Sequence, residues 1–194
     1  MNKVDPPADW PTDGEGCTVG NPYSPVLVII PGGEAEGEGH VPRHPLAAAA
    51  IDAGAAGALL LTSPNVGIER VICNTVSNPN VRYLLIAGPD NASASGSALL
   101  SLCLLGEDLR RHIEGAASPD AAIPDVPAHV FDRFRTQVTA LDMLGDVAVE
   151  ALAEVVLACC GNFGRTVRLG EVEHDLRDLG AVTADPLHWR PPTG

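Results

Sequence analysis

SPVLVII, Ser24 to Ile30, is an unbroken aliphatic run, largely β-branched, that stops at Pro31-Gly32-Gly33. With no alternating polar partner it has two faces to bury, which fits a strand covered by helices on both sides. Two similar runs follow. ALLLT (Ala58 to Thr62) and RYLLIA (Arg82 to Ala87) end in turn-forming residues, Ser63-Pro64-Asn65 and Gly88-Pro89-Asp90. Between the runs, Ala47 to Ala56 has helical composition, and Ile68, Val71, Ile72 and Val76 share one helical face behind a capping Ser63 or Asn65. That helix must stop near Asn78, because Pro79 disfavours helical geometry in the residue before it. Strand and helix in strict alternation predict an α/β protein of Rossmann-like class, a mainly parallel sheet flanked by helices in three αβα layers.

Away from these runs the pattern is less regular. Residues 1–22 are rich in Pro, Asp and Gly and read as an irregular lead-in; residues 23–160 form one Rossmann-like domain; residues 161–194 read as a hairpin followed by an extended tail. Ser95 to Leu105 has helical composition. After Pro127, the spacing of Val130, Phe134, Val138 and Leu141 predicts an amphipathic helix reaching Leu141, and a last helix spans about Asp146 to Cys160. Asn78-Pro79-Asn80 reads as a turn that orients Arg82.

Composition narrows the function classes. Twenty-five acidic against 12 basic side chains give a formal charge of −13, so a polyanion is repelled and nucleic acid is not an expected partner. Lys3 is the only lysine. The alanine-rich stretches Pro45 to Thr62 and Val147 to Cys160 are interrupted by Asp52 and by Glu150 and Glu154, short of the roughly 20 apolar residues that cross a bilayer. Met1 to Trp10 has no basic region followed by an apolar run, so no signal peptide is expected. Five scattered cysteines, an odd number, fit reduced thiols. A soluble, cytoplasmic protein with no membrane partner is the expectation.

Familiar catalytic motifs are absent. No G-x-G-x-x-G follows a strand, and neither a phosphate-binding G-x-x-x-x-G-K-[ST] loop nor a G-x-S-x-G elbow occurs. Adjacent residues of a helix point about 100° apart, so Cys159 and Cys160 read as buried small hydrophobes rather than a zinc pair. In such sheets ligands bind beyond the carboxyl ends of the strands, here Pro31 to Gly33, Thr62 to Asn65 and Gly88 to Ser95. The polar loop Asp90, Asn91, Ser93, Ser95 is either an ordinary cap and turn or a set of hydrogen-bonding groups for an amide or phosphate. His40 and His44 flank Val41-Pro42-Arg43 and are either solvated loop residues or metal ligands at the mouth of the first strand.

GIERVICNTVSNPNVRYLLIAG, Gly67 to Gly88, resembles the most recognisable segment of the A subunit of tetrahydromethanopterin S-methyltransferase. Trp10 to Val28, containing VGNPYSPVLV, is similar to that family's opening, and Ala122 to Leu144, with AIPDVP and VFDRFRTQVTALDML, to its later loop and helix. The resemblance implies a cobamide-binding domain over 23–160, with the corrin in a shallow groove and a methyl group carried on cobalt between tetrahydromethanopterin and coenzyme M. It thereby implies a place in the one-carbon metabolism of methanogenesis. Three departures accompany it. GPDNASASGS, Gly88 to Ser97, lacks the cobalt-ligating histidine that the family carries before a Gly-Gln pair. The segment after the first strand is longer and acidic, and the end lacks the family's hydrophobic anchor.

The first reading is therefore a soluble homologue within that family that binds a cobamide (a cobalamin-type corrinoid) with the cofactor's own base or water below cobalt, and works with a partner methyltransferase. On it, the cofactor-binding positions are Ser63, Asn65, Gly88, Pro89, Asp90, Asn91, Ser93, Ser95, Ala122, Ile123 and Pro124, with none catalytic. A second reading is a degenerate homologue without cobamide, acting as a binding or regulatory module. A third lets His40 or His44 supply the metal ligand.

Overall fold

A strand with no polar residue has to be covered twice, and the chain does this by placing helices alternately above and below one sheet. The computed structural model describes residues 2–32 and 44–192. In chain order it contains β1 (Cys17–Val19), β2 (Val26–Pro31), α1 (Pro45–Asp52), β3 (Gly57–Leu61), α2 (Val66–Val76), β4 (Tyr83–Gly88), α3 (Ser95–Leu104), α4 (Ala128–Gln137), β5 (Thr139–Leu144), α5 (Val149–Cys160), β6 (Arg165–Leu169) and β7 (Val172–Leu176). The central sheet has the order β1-β3-β2-β4-β5; β3, β2, β4 and β5 are mutually parallel and β1 runs antiparallel to β3.

Alternation along each strand divides the core in two. Val26, Val28 and Ile30 of β2 and Leu85 of β4 face Leu46 and Ala50 of α1 and Leu152 and Val156 of α5. Leu27, Ile29, Leu84 and Ile86 face the other way, onto Ile68 and Ile72 of α2, Leu99 of α3 and Phe134 of α4. The sheet is thus flanked by helices on both sides, as expected. Each fully buried Leu or Ile contributes about 1.5–3 kcal/mol relative to an exposed one, so the two inner strands form the principal cohesive element. No described helix is long and apolar enough to cross a membrane.

Two elements differ from the sequence expectation. The stripe through Val138 and Leu141 is not one helix: α4 ends at Gln137, Val138 is extended at φ −119°, and Thr139–Leu144 joins the sheet beside β4, from Tyr83↔Thr139 to Gly88↔Leu144. Gln137 stops the helix in place. Its amide nitrogen lies within hydrogen-bond distance of the carbonyls of Thr75 (2.7 Å), Asn78 (2.9 Å) and Val81 (3.1 Å), and the side chain is buried. Strand pairing then dictates the next residues, overriding their helical spacing. In the lead-in, Cys17–Val19 forms β1, and the Trp10 indole donates to the Asn74 carbonyl at 2.8 Å.

The Asn78-Pro79-Asn80 turn is buried. Asn78 donates to Pro22 O at 2.8 Å and Asn80 to Val4 O at 2.8 Å, while Arg82 donates to the carbonyls of Gln137 (3.0 Å) and Gly180 (3.1 Å). Beyond the expected hairpin of β6 and β7, the tail runs back along the molecule. Ala181 N bonds Asn2 O, Val182 N bonds Pro79 O and Leu187 N bonds Val76 O, each at 2.8–3.0 Å.

Replacing Gln137 by leucine takes the donor from Val81 O and a second donor from Thr75 O and Asn78 O, which keep those of Asn78 N and Val81 N. Gln137→Leu is expected to destabilise the fold by about 2–4 kcal/mol in urea unfolding. A change below about 0.5 kcal/mol would show that the amide is not the clamp described.

Candidate functional site

β2 and β4 are neighbours, yet their chains leave on opposite faces, β2 into α1 and β4 into α3. Such a reversal opens a crevice at the carboxyl ends of the two strands, the usual ligand position in open α/β sheets. Asn91 closes the floor of this crevice. Its amide nitrogen donates to Gly32 O at 3.1 Å, beyond β2, and to Leu61 O at 3.0 Å, at the end of β3. It also lies 2.6 Å from Ser95 Oγ. The amide oxygen accepts from Ser93 Oγ at 2.9 Å and Ser95 N at 3.1 Å. Ser95 is wholly buried and its hydroxyl donates to Leu61 O at 3.2 Å. One side chain on the loop after β4 therefore ties three strand ends into a single ledge.

Asp90 holds the helix that follows. Its Oδ1 accepts from Asn91 N and Gly96 N, both 2.9 Å, and its Oδ2 from Ser97 N at 2.9 Å and Ser97 Oγ at 2.6 Å. Gly96 N and Ser97 N are orphan donors of the first turn of α3, where a negative charge also meets the positive end of the helix dipole. Burial pushes the Asp90 carboxyl up, but the bonds from Ser97, Gly96 and Asn91 outweigh it and hold the group below the usual aspartate range. The helix start is pressed close: a Cβ at Gly96 would sit 2.6 Å from Pro31 Cγ and 2.8 Å from Leu144 Cδ2, so only glycine fits. Gly88 has φ +103°, a left-handed turn out of β4, and its carbonyl accepts from Gly145 N at 3.0 Å.

The remaining candidates divide by role. Asn65 caps α2 through Val66 N at 2.7 Å, and Ser63 Oγ accepts from Gly67 N at 2.9 Å, so both are helix caps beside the ledge. Ile123 is fully buried in the same core as Ile68 and Phe134, while Ala122 is half-buried and Pro124 exposed. This loop reaches the ledge side of α2 through Asp125 N, which donates to Glu69 Oε1 at 3.0 Å. Glu69 is only 1% exposed; desolvation, helped by the Asp125 charge and opposed by the backbone bond, pushes its carboxyl above the usual glutamate range. Sequence reasoning missed Glu69 because a lone glutamate in the first turn of a helix looks like an ordinary solvated residue. His44 caps α1, its Nδ1 accepting from Leu46 N at 3.3 Å, and His40 and Gly33 lie outside the described residues. Among the described residues no group of three or more His, Cys, Asp or Glu is arranged to hold a metal ion.

The ledge thus presents a rigid platform whose polar side chains bond the chain's own backbone. Exposed Pro89, Ala92 and Thr62 face solvent around it. It offers surface for a flat ligand, with Asp90 and Asn91 already committed to bonds within the chain.

A family model for the A subunit of tetrahydromethanopterin S-methyltransferase matches residues 3–164. The chain is similar to the A subunit numbered 2 of that enzyme from Methanothermobacter marburgensis, 31% identical over 193 residues, covering 98% of this chain and 90% of the relative. It is also similar to the A subunit from Methanosarcina mazei, 30% identical over 187 residues (96% of this chain, 67% of the relative). The A subunit from Methanococcus maripaludis is 32% identical over 158 residues (81% and 61%).

Two substitutions test the ledge supports. Asp90→Ala is expected to lower stability by about 1 kcal/mol at pH 7, the usual worth of a helix cap. Because the folded carboxyl titrates low, that difference is complete above the ordinary aspartate pKa and closes as pH falls through the lowered value. A pH-independent difference would contradict the cap. Glu69 has the opposite sign: its raised pKa means stability declines as pH climbs from the ordinary glutamate value through the raised one. Glu69→Gln keeps an acceptor for Asp125 N without a buried charge, so its Tm should exceed the parent's at pH 7 and match it in acid; a lower Tm throughout would refute this.

Proposed function

The chain belongs to the family of the A subunit of tetrahydromethanopterin S-methyltransferase, and from that membership we propose that it is a cobamide-binding methyl carrier, with the cofactor seated on the ledge at the carboxyl ends of β2, β3 and β4. The observation that carries this reading is the convergence of those three ends on Asn91, at the switch point between β2 and β4. A corrin is broad and flat, and a platform joined across three strand ends suits it better than a narrow cleft does. When bound, the cobalt would carry the methyl group and supply the chemistry. The chain's own residues hold the platform rigid: Asn91 and Ser95 join the strand ends, Asp90 fixes α3, and Ser63 and Asn65 fix α2. Gly88 to Ser97 contains no imidazole, so this loop would hold a corrinoid by its shape and leave the metal's ligand to the cofactor's own base or to water. A separate methyltransferase would deliver and remove the methyl group. The odd number of scattered cysteines supports a reducing, cytoplasmic setting.

A second reading, a family member that has lost cobamide and serves as a binding or regulatory module, is favoured by one observation. The loop Gly88 to Ser97 contains no imidazole, and its Asp90, Asn91 and Ser95 already bond the chain's own backbone.

Visible absorption after adding cobalamin to the purified protein and desalting separates the two. The carrier reading expects a coloured protein whose spectrum is unchanged by His44→Ala, and whose retention of colour falls about tenfold in Asn91→Ala as the strand ends part. A protein that desalts colourless would sink the carrier and leave the module; a cobalt band displaced by His44→Ala would give that histidine the ligand role instead.

A further inference from the structure

The two outer strands of the sheet are finished differently. β1 covers β3, whereas β5 hydrogen-bonds β4 alone among the described residues, so on its far side the backbone groups of Ala140 and Asp142 have no strand partner, while Leu144 N donates to Asp142 Oδ1 at 2.9 Å. The β6–β7 hairpin lies alongside without joining, since its strands pair only with each other. Between hairpin tip, β5 and α3 runs a groove of about 380 Å³. Its apolar wall includes Leu100 and Leu104 of α3, Leu144 of β5 and Val172 of the hairpin; Leu104 is 74% exposed. Asp142 and Glu171 also line it, and neither is in an ion pair with a described residue.

We infer that this groove docks an extended segment of a partner protein that carries alternating apolar and basic residues and adds to the free edge of β5. The open backbone row selects an extended strand over a helix, because only a strand can continue the ladder. Alternation follows from β5 itself: Ala140, Asp142 and Leu144, two apart and so on one face, all line the groove, and every second residue of an added strand meets apolar and acidic positions in turn. Charge selects the basic residues, since two carboxylates without cationic partners line the walls of a chain already at −13. The same charge disfavours a second copy, which would bring identical carboxylates to the contact. The surface does not depend on cobamide and stands whether or not the ledge is occupied.

Fluorescence anisotropy with the full chain and a labelled peptide in which every second residue is in turn valine and lysine, with threonine between them, tests the inference. Asp142→Lys and Glu171→Lys should each weaken binding at least about tenfold, and Leu104→Ala several-fold, whereas Asp52→Lys on α1 leaves it unchanged. A valine–glutamate peptide, and the lysine peptide N-methylated along its backbone so that it cannot pair with a strand, should not bind. Equal weakening by Asp52→Lys reduces the effect to the general charge, and equal binding of the N-methylated peptide removes the strand; either overturns the inference, as does failure of the lysine peptide to bind. Self-association abolished by Asp142→Lys in sedimentation velocity would overturn it in favour of a second copy.

Discussion

The carboxamide of Asn91 is the point on which the upper edge of the sheet depends. Strand ends leave carbonyls that no ladder satisfies, and buried ones need a donor from elsewhere. Leu61 O already accepts from Gly32 N at 3.1 Å, which joins the ends of β2 and β3, and Asn91 adds a donor to Gly32 O and a further one to Leu61 O from a residue that the chain supplies only after β4 is in place. The bond therefore couples the ends of β2 and β3 to the loop that launches α3. Once α3 is held there, Gly96 lies against Pro31 and Leu144, which brings β5 into the same construction.

That economy of polar groups has a functional consequence. A loop rich in Asp, Asn and Ser beyond a buried strand suggests a set of groups waiting for a ligand, yet here the carboxylate and amide are used to hold the loop itself. What remains for a ligand is shape and rigidity. Such a surface can position a broad cofactor that brings its own reactivity, and it can equally present a fixed face to a protein. Asp90 and Asn91 are committed to the loop rather than to proton transfer or covalent catalysis, which need a free lone pair or proton near the reacting atom.

Much of the architecture was legible because burial on two faces leaves an unmistakable trace: SPVLVII, ALLLT and RYLLIA are β2, β3 and β4 within a residue or two. β5 was not, because Val138 and Leu141 continue the spacing of Val130 and Phe134 while the decision to leave the helix is taken by Gln137 meeting carbonyls 56–62 positions earlier in the chain. β1 is three residues among turn formers and exists only because β3 offers an edge. At the site, the loops after the strands were legible from the parallel topology alone. The direction in which their side chains bond was not, since Asn91 aimed at backbone and Asn91 aimed at solvent have the same sequence.

The cysteines of this fold are held as thiols by their burial. Thiolates are strong ligands and nucleophiles, but only when deprotonated. Burial pushes Cys17, Cys73, Cys103 and Cys159 up to about 12, and pushes Cys160 upward as well, against the bond from Ser24. Near neutral pH all five are thiols, and Cys73 donates to Trp189 O at 2.8 Å, helping to fasten the tail. The packing that stabilises the core thus keeps these thiols out of soft-ligand chemistry. Among the histidines weighed as metal ligands, His44 already uses Nδ1 to cap α1. Its Nε2 takes no part in that bond, so anything it met would face a ring fixed by the helix it starts.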